Sequence, residues 1–189
     1  MALPKLLSIL GILLWVGYEV ILRRRADSDA ASWHGDSGDR GSTRLLLGSY
    51  AAAVLLNIVL STTTTGRVPA GWSWAGVAAI VAGLALRAWG MQTLGSFYTR
   101  TLRTTDGQSV VRSGPYRLIR HPGYCGSLLV WTGYSLGLGN WIATVAVAAL
   151  LLSAYTWRID AEERLLLTAF GGQYADYRRG TKRLLPFVY

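Results

Sequence analysis

The sequence has one cysteine, Cys125, and two histidines, His34 and His121. A lone cysteine excludes a disulfide within the chain. A zinc site takes three or four Cys, His or carboxylate ligands at suitable spacing, and nothing here supplies them, so no metal is expected. One usable histidine and no nucleophile-elbow motif leave serine-histidine-acid catalysis without support. Charge is scarce too. Charged residues make up 15% of the chain, against roughly 25% in soluble domains. Acids are the scarcer sign, ten against nineteen Lys and Arg, for a formal charge of +9.

Apolar and aromatic residues fill the space. Hydrophobic residues reach 51%, with eight Trp and ten Tyr, as in the interfacial belts of membrane proteins. The length of 189 residues suits a single domain, 1–189. Residues 1–66 carry two spans; residues 68–189 carry a third span, a polar loop, a helical hairpin and a C-terminal helix. The expected fold is all-α and polytopic, with five transmembrane helices.

The first span runs from about Leu6 to Leu22, interrupted by Glu19. It has no basic leader beyond Lys5 and no Ala-x-Ala cleavage site, so it reads as a retained span. The second is Leu45 to Gly66, and the third runs from Val68 past Arg87 to about Met91. Residues 122–157 then contain no charge over 36 positions. One helix of that length would be about 54 Å long, far beyond a hydrocarbon core of about 30 Å. Gly137-Leu138-Gly139-Asn140 breaks it into two arms, Pro122–Leu136 and Trp141–Trp157. Each arm is short for a full span, which implies tilt or thinning. There is no internal repeat.

Basic residues cluster after the first span (Arg23, Arg24, Arg25, Arg40, Arg44), after the third (Arg100, Arg103, Arg112, Arg117, Arg120) and after the fifth (Arg158, Arg164, Arg178, Arg179, Lys182, Arg183). With five spans these regions share one side, and the positive-inside rule makes it cytoplasmic. The N-terminus is then outside and the C-terminus inside. The basic charge is thus a topology signal with a contribution from anionic lipid, and nucleic acid is excluded as a partner. Arg25–Thr43 is rich in Ser, Asp and Gly and reads as a mobile loop; His34 within it reads as solvated. Gly76, Gly83 and Gly90 recur at heptad spacing and admit a close neighbouring helix. Arg87 falls near that face, with two readings open: a snorkelling residue or a polar group facing the bundle.

Two polar blocks flank the hairpin. The first is Gly114–Gly126, basic and turn-rich. Pro122 suits a first helical turn, which puts His121 near the N-cap, where free N–H groups favour an anion. Tyr116 and Arg120 share a face if helical. Taken alone, the block also fits an interfacial anchor. The second block is Arg158-Ile-Asp-Ala-Glu162-Glu163, followed by Phe170, Gly171, Tyr174 and Tyr177. Arg158 with Glu162, and Asp160 with Arg164, have the spacing of helical ion pairs. The aromatic stripe fits packing on the membrane surface. Two acids directly after a span are harder to assign to lipid, and a closed hairpin would bring them to His121.

Together the blocks resemble the isoprenylcysteine carboxyl methyltransferase family and its bacterial and archaeal relatives. The matching elements are Gly114-Pro115-Tyr116, Arg120-His121-Pro122, Tyr124 and Gly126, then Arg158, Glu162-Glu163, Leu166, Phe170-Gly171, Tyr174, Tyr177 and Pro186. Arg87-Ala-Trp89 with Leu94-Gly95 is similar to a weaker upstream element. The resemblance covers roughly residues 80–189. It implies S-adenosyl-L-methionine held on the cytoplasmic side, and a lipophilic small-molecule substrate entering from the membrane lipid. It also implies that Tyr116, Arg120, His121, Tyr124, Gly126, Glu162 and Glu163 bind the cofactor, and that Arg158 faces the substrate carboxylate.

Methyl transfer from a sulfonium is an in-line displacement, so the protein mainly aligns and desolvates. A carboxylate acceptor is ionised at neutral pH and needs no base, only a cation, and bidentate geometry favours arginine. Carboxyl O-methylation of an isoprenylcysteine-like acid is the expected reaction. Three alternatives stay open: another lipid or thiol acceptor, a membrane reductase using a nicotinamide dinucleotide phosphate, or a non-enzymatic lipid-interaction protein. The reductase would want a dinucleotide fingerprint that the chain lacks. Cys125 reads as a small packing residue.

Overall fold

The computed structural model describes residues 2–26, 41–95 and 110–184. Most of the Ser/Asp/Gly-rich loop with His34 lies outside these residues, as do Arg100, Arg103 and Pro186. Five long helices follow in order: α1 Leu3–Ala26, α2 Ser42–Ser61, α3 Ala70–Leu94, α4 Pro122–Gly137 and α5 Trp141–Gly180, with a short 3₁₀ turn at Gly114–Arg117 before α4. Among the described residues there is no strand, only isolated bridges joining Arg67 to Asn140 and Ile119 to Lys182. The chain is an all-helical, polytopic membrane protein. Four helices, α1, α2, α3 and α5, are long and apolar enough to cross a membrane. α4 has 16 residues, about 24 Å of helix.

The break in the charge-free stretch falls where the sequence places it. α4 ends at Gly137, and Asn140 caps α5 by accepting a bond from the Ala143 N–H at 3.0 Å. The Asn140 amide also donates to Leu60 O and Thr65 O, which ties the hairpin tip to the end of α2. α5 covers 40 residues in two helical segments joined at Gly171, so the second arm of the hairpin runs on to the break and a C-terminal helix follows it. The first segment, residues 141–170, is about 45 Å long, longer than a hydrocarbon core of about 30 Å. Its charge-free part ends at Trp157, so the remainder projects past the membrane-spanning stretch. The projecting part breaks at Gly171, whose φ of 50° and ψ of −125° suit only glycine.

The glycines of α3 meet α4 in an antiparallel seam. A Cβ on Gly83 would stand 2.5 Å from Gly126 O, and one on Gly133 would stand 2.6 Å from Gly76 O. Gly90 faces Pro122 at 3.2 Å. Backbone meets backbone here, and the close approach replaces the missing hydrophobic drive between helices in lipid. Gly126 thus packs α4 on α3, where a Cβ would stand 2.6 Å from Gly83 O.

Arg87 faces the bundle. It is buried, ion-paired with Glu19 of α1, and donates to Gly123 O at 2.9 Å and Ser127 Oγ at 2.8 Å. Trp15 of α1 also reaches Ser127, at 3.2 Å. The interruption of the first span by Glu19 is thus a partner for Arg87, as intramembrane charges require. Around this network Trp15, Tyr50 and Trp131 pack edge-on and stacked with centroids 5.1–5.5 Å apart. Cys125 is buried in the same core.

Candidate active site

The two polar blocks meet where α4 begins and where α5 leaves its charge-free stretch. Pro122 at the first position of α4 starts the helix one residue after His121. Tyr124 then lies in the first turn, and it stacks on Tyr155 of α5 with centroids 5.3 Å apart. Its hydroxyl donates to Glu162 Oε2 at 2.9 Å and accepts from Arg158 Nε at 3.2 Å. Arg158 and Glu162, one turn apart on α5, are joined through this phenol. Nη1 of Arg158 donates to Ser42 Oγ and Thr43 Oγ1 of α2, each at 2.9 Å.

Glu163 faces a different set of groups. Arg120 Nε lies 2.7 Å away, Arg183 Nη2 3.2 Å, His121 Nε2 3.4 Å and Arg178 Nε 3.5 Å. Burial pushes this carboxyl up, but hydrogen bonds and charge from His121 and Arg120 outweigh it and bring it down to about 2. The Arg120 guanidinium also donates to the carbonyls of Arg178 and Thr181. Backbone bonds run alongside: Arg120 N–H to Lys182 O, His121 N–H to Arg183 O, and Lys182 N–H to Leu118 O. Together these form a clasp between the first block and the chain after α5. The N–H of His121 is committed to it.

His121 is buried between the two acids, with Nδ1 4.0 Å from Glu162 and Nε2 3.4 Å from Glu163. The acids differ in access: the Glu162 side chain is 30% exposed and that of Glu163 is 3% exposed. Tyr116 and Arg120 do not share a helical face, because the 3₁₀ turn ends at Arg117. Tyr116 instead packs with Tyr174 and Tyr177 in a second apolar cluster, and its carbonyl accepts the Tyr177 hydroxyl at 2.8 Å. The aromatic stripe thus turns inward rather than onto the membrane surface. The Tyr174 hydroxyl is buried and has no hydrogen-bond partner among the described residues. Asp160 pairs with Arg183 at 2.9 Å and not with Arg164.

Of the residues predicted from sequence, Arg158, Tyr124, Glu162 and His121 come together in one cluster. Arg120 and Glu163 form the clasp beside it, Tyr116 braces the C-terminal helix, and Gly126 sits in the seam. Sequence reasoning missed Ser42, Thr43, Arg178 and Arg183 as neighbours of the site. The two arginines counted there only as topology charges; Ser42 and Thr43 read only as polar residues before an apolar run.

A helical bundle long and apolar enough to cross a membrane, with a polar, partly accessible cluster at one end of a hairpin, defines an integral membrane protein with a candidate site. A sequence model of the isoprenylcysteine carboxyl methyltransferase family matches residues 75–168. The probable protein-S-isoprenylcysteine O-methyltransferase of Oryza sativa subsp. indica is 30% identical over 166 residues, covering 84% of this chain and 87% of that protein. Protein-S-isoprenylcysteine O-methyltransferase A of Arabidopsis thaliana is 32% identical over 167 residues, covering 84% of each. The solved structure of the eukaryotic intramembrane Ras methyltransferase superposes with a TM-score of 0.65 at 23% identity and covers 75% of this chain. That likeness shows the fold; the chain spans about half, 52%, of that protein. The chain belongs to the isoprenylcysteine carboxyl methyltransferase family and is a methyltransferase.

Proposed function

We propose that this protein uses S-adenosyl-L-methionine to O-methylate the carboxylate of an isoprenylcysteine-like acid at the cytoplasmic face of the membrane. The observation that carries this reading is the Arg158–Tyr124–Glu162 junction, with His121 beside it. The junction offers a guanidinium for an acceptor and a half-buried carboxylate for a donor. The relatives' names point to a prenylated cysteine, whose carboxylate and apolar tail suit a cluster at the end of a membrane bundle.

The residues fit the donor. Glu162 can accept from ribose hydroxyls or an ammonium, and its exposure leaves it accessible. The buried Tyr174 hydroxyl, without a hydrogen-bond partner among the described residues, is a donor for the ligand's acceptors, since leaving such a group unsatisfied is costly. When bound, S-adenosylmethionine supplies a methyl group already activated on a sulfonium. Arg158 holds the acceptor carboxylate with one oxygen directed at that methyl, and no residue needs to take a proton. Tyr124 and His121 wall the site and exclude water. Tyr116, Arg120 and Glu163 keep the wall in place, and Gly126 lets α4 sit where it does. Counting α4 as a fifth crossing puts the basic segments and this cluster on the cytoplasmic side.

The test is transfer of radiolabelled methyl from S-adenosylmethionine to N-acetyl-S-farnesylcysteine by protein in nanodiscs, followed by base treatment. Base-labile label is expected. A base-stable product, or no transfer, overturns the carboxyl assignment.

A further inference from the structure

Gly76, Gly83 and Gly90 of α3 recur every seven residues, and so do Gly126 and Gly133 of α4. In the structure Gly83 meets Gly126 and Gly76 meets Gly133. A slip of α4 by seven residues, about 10.5 Å, sets glycine against glycine again, so the seam alone leaves its register open. Directional bonds remove that freedom. Arg87 of α3 donates from Nη1 to Gly123 O at 2.9 Å and to Ser127 Oγ at 2.8 Å, two points one turn apart on α4. Slipped by one repeat, Arg87 would face Tyr134 or Arg120 in place of Ser127, an aromatic ring or a like charge. From α1, Glu19 pairs with Arg87. Trp15, one turn earlier, donates to Ser127 Oγ at 3.2 Å, and its ring centroid lies 5.8 Å from Cζ of Arg87. Glu19 and Arg87 are buried, and α1 lies outside residues 75–168 matched by the family.

We propose that Glu19, acting through Arg87, is a positioning residue for methyl transfer: the pair sets the register of α4, and with it the place of the Tyr124 phenol between Arg158 and Glu162. The proposal rests on the role given above to that junction. Tyr124 lies between the two anchor points, one residue after Gly123 and three before Ser127. Its hydroxyl meets Glu162 at 2.9 Å and Arg158 at 3.2 Å, and a slip or rotation of α4 would break both contacts. Between apolar helices, fixing the register is the best-attested use of a buried polar group. Glu19 supplies the counter-charge that an arginine inside the bilayer requires, and so keeps the guanidinium on α4.

The experiment uses the full chain. It measures kcat and KM for N-acetyl-S-farnesylcysteine in nanodiscs, and the thermal midpoint in detergent. E19Q leaves Arg87 buried without the Glu19 charge, so midpoint and kcat both fall. E19L/R87M removes both charges at similar volume. Its midpoint is expected to recover, whereas kcat stays about tenfold below the wild type, the scale of a small misplacement in the site. In a Y124F background E19L/R87M lowers kcat no further, because both changes act through one phenol. Recovery of kcat together with the midpoint, or an equal fall in the Y124F background, shows an effect on stability alone. Either result overturns the positioning role, and a lowered kcat in Y124F itself then leaves the junction standing. If Y124F changes neither kcat nor KM, the junction fails and the proposal with it. Should E19L/R87M not fold, S127A carries the same test: it keeps the ion pair and removes one anchor. S127A is expected to lower kcat about threefold, the scale of one hydrogen bond, in the presence of Tyr124 and not in Y124F.

Discussion

Glu162 and Glu163 are adjacent in sequence, yet they belong to two differently built regions. Around Glu163, charge answers charge: Arg120, Arg178, Arg183 and His121 converge on one buried carboxylate, and backbone bonds run beside them. Around Glu162 the partner is a phenol shared with Arg158, and the carboxylate keeps some access to solvent. The first arrangement spends its bonding capacity inside the protein. The second keeps its carboxylate partly open to its surroundings. A pair of acids in a motif therefore need not share one role, and helix geometry separates them: neighbours on α5 point about 100° apart.

The largest effect expected from breaking this contrast is on the Glu162 side. Arg158→Ala removes the proposed acceptor cation and should lower methyl transfer by about 100-fold or more, the scale of truncating one member of a buried charge pair. Calorimetric binding of S-adenosylhomocysteine should persist. On the clasp side, Glu163→Gln leaves three cations facing a neutral group. It should cost about 3 kcal/mol of stability, read as a drop in thermal midpoint in detergent. Glu162→Gln should do the reverse: leave the midpoint unchanged and weaken binding of the demethylated donor about tenfold, the value of a hydrogen bond to a charged group.

The smallest effect is one of pH. The Glu163 carboxyl is brought down to about 2 in the folded protein, below an unfolded value of about 4.3. Its contribution is present in full above the unfolded value. It fades as pH falls from there through about 2. Thermal midpoints taken across that window should decline in the wild type, and this part of the decline should be missing in Glu163→Gln. Equal slopes in the two proteins would show that the clasp is not where the carboxylate acts.

Much of the site was legible because its chemistry is local in sequence. The break at Gly137–Asn140 closes the hairpin, and a closed hairpin brings Tyr124 and His121 to Arg158 and Glu162. Gly76, Gly83 and Gly90 announced a close helix neighbour, and α4 is that neighbour. Other features depend on contacts that no spacing reveals. The division of labour between Glu162 and Glu163 is set by Arg178 and Arg183, which reach back only because the chain turns at Gly171. The bonds from Arg158 to Ser42 and Thr43 join residues more than a hundred positions apart. Gly126 sits inside the motif, and its packing against Gly83 is a contact that the motif does not announce. Family membership now favours a methyltransferase over the reductase and the non-enzymatic alternative.

The glycine seam has a consequence for where the chemistry sits in the bilayer. α4, with 16 residues, is shorter than a hydrocarbon core, whereas α3 has 25, about 38 Å. The seam fastens the short helix along the middle of the long one, with Gly90 level with Pro122 and Gly76 level with Gly133. Mismatch between α4 and the lipid is then carried by α3, whose ends find the two interfaces. α3 works as a depth gauge: its register in the bilayer, not the apolar length of α4, sets the level at which His121 and Tyr124 lie.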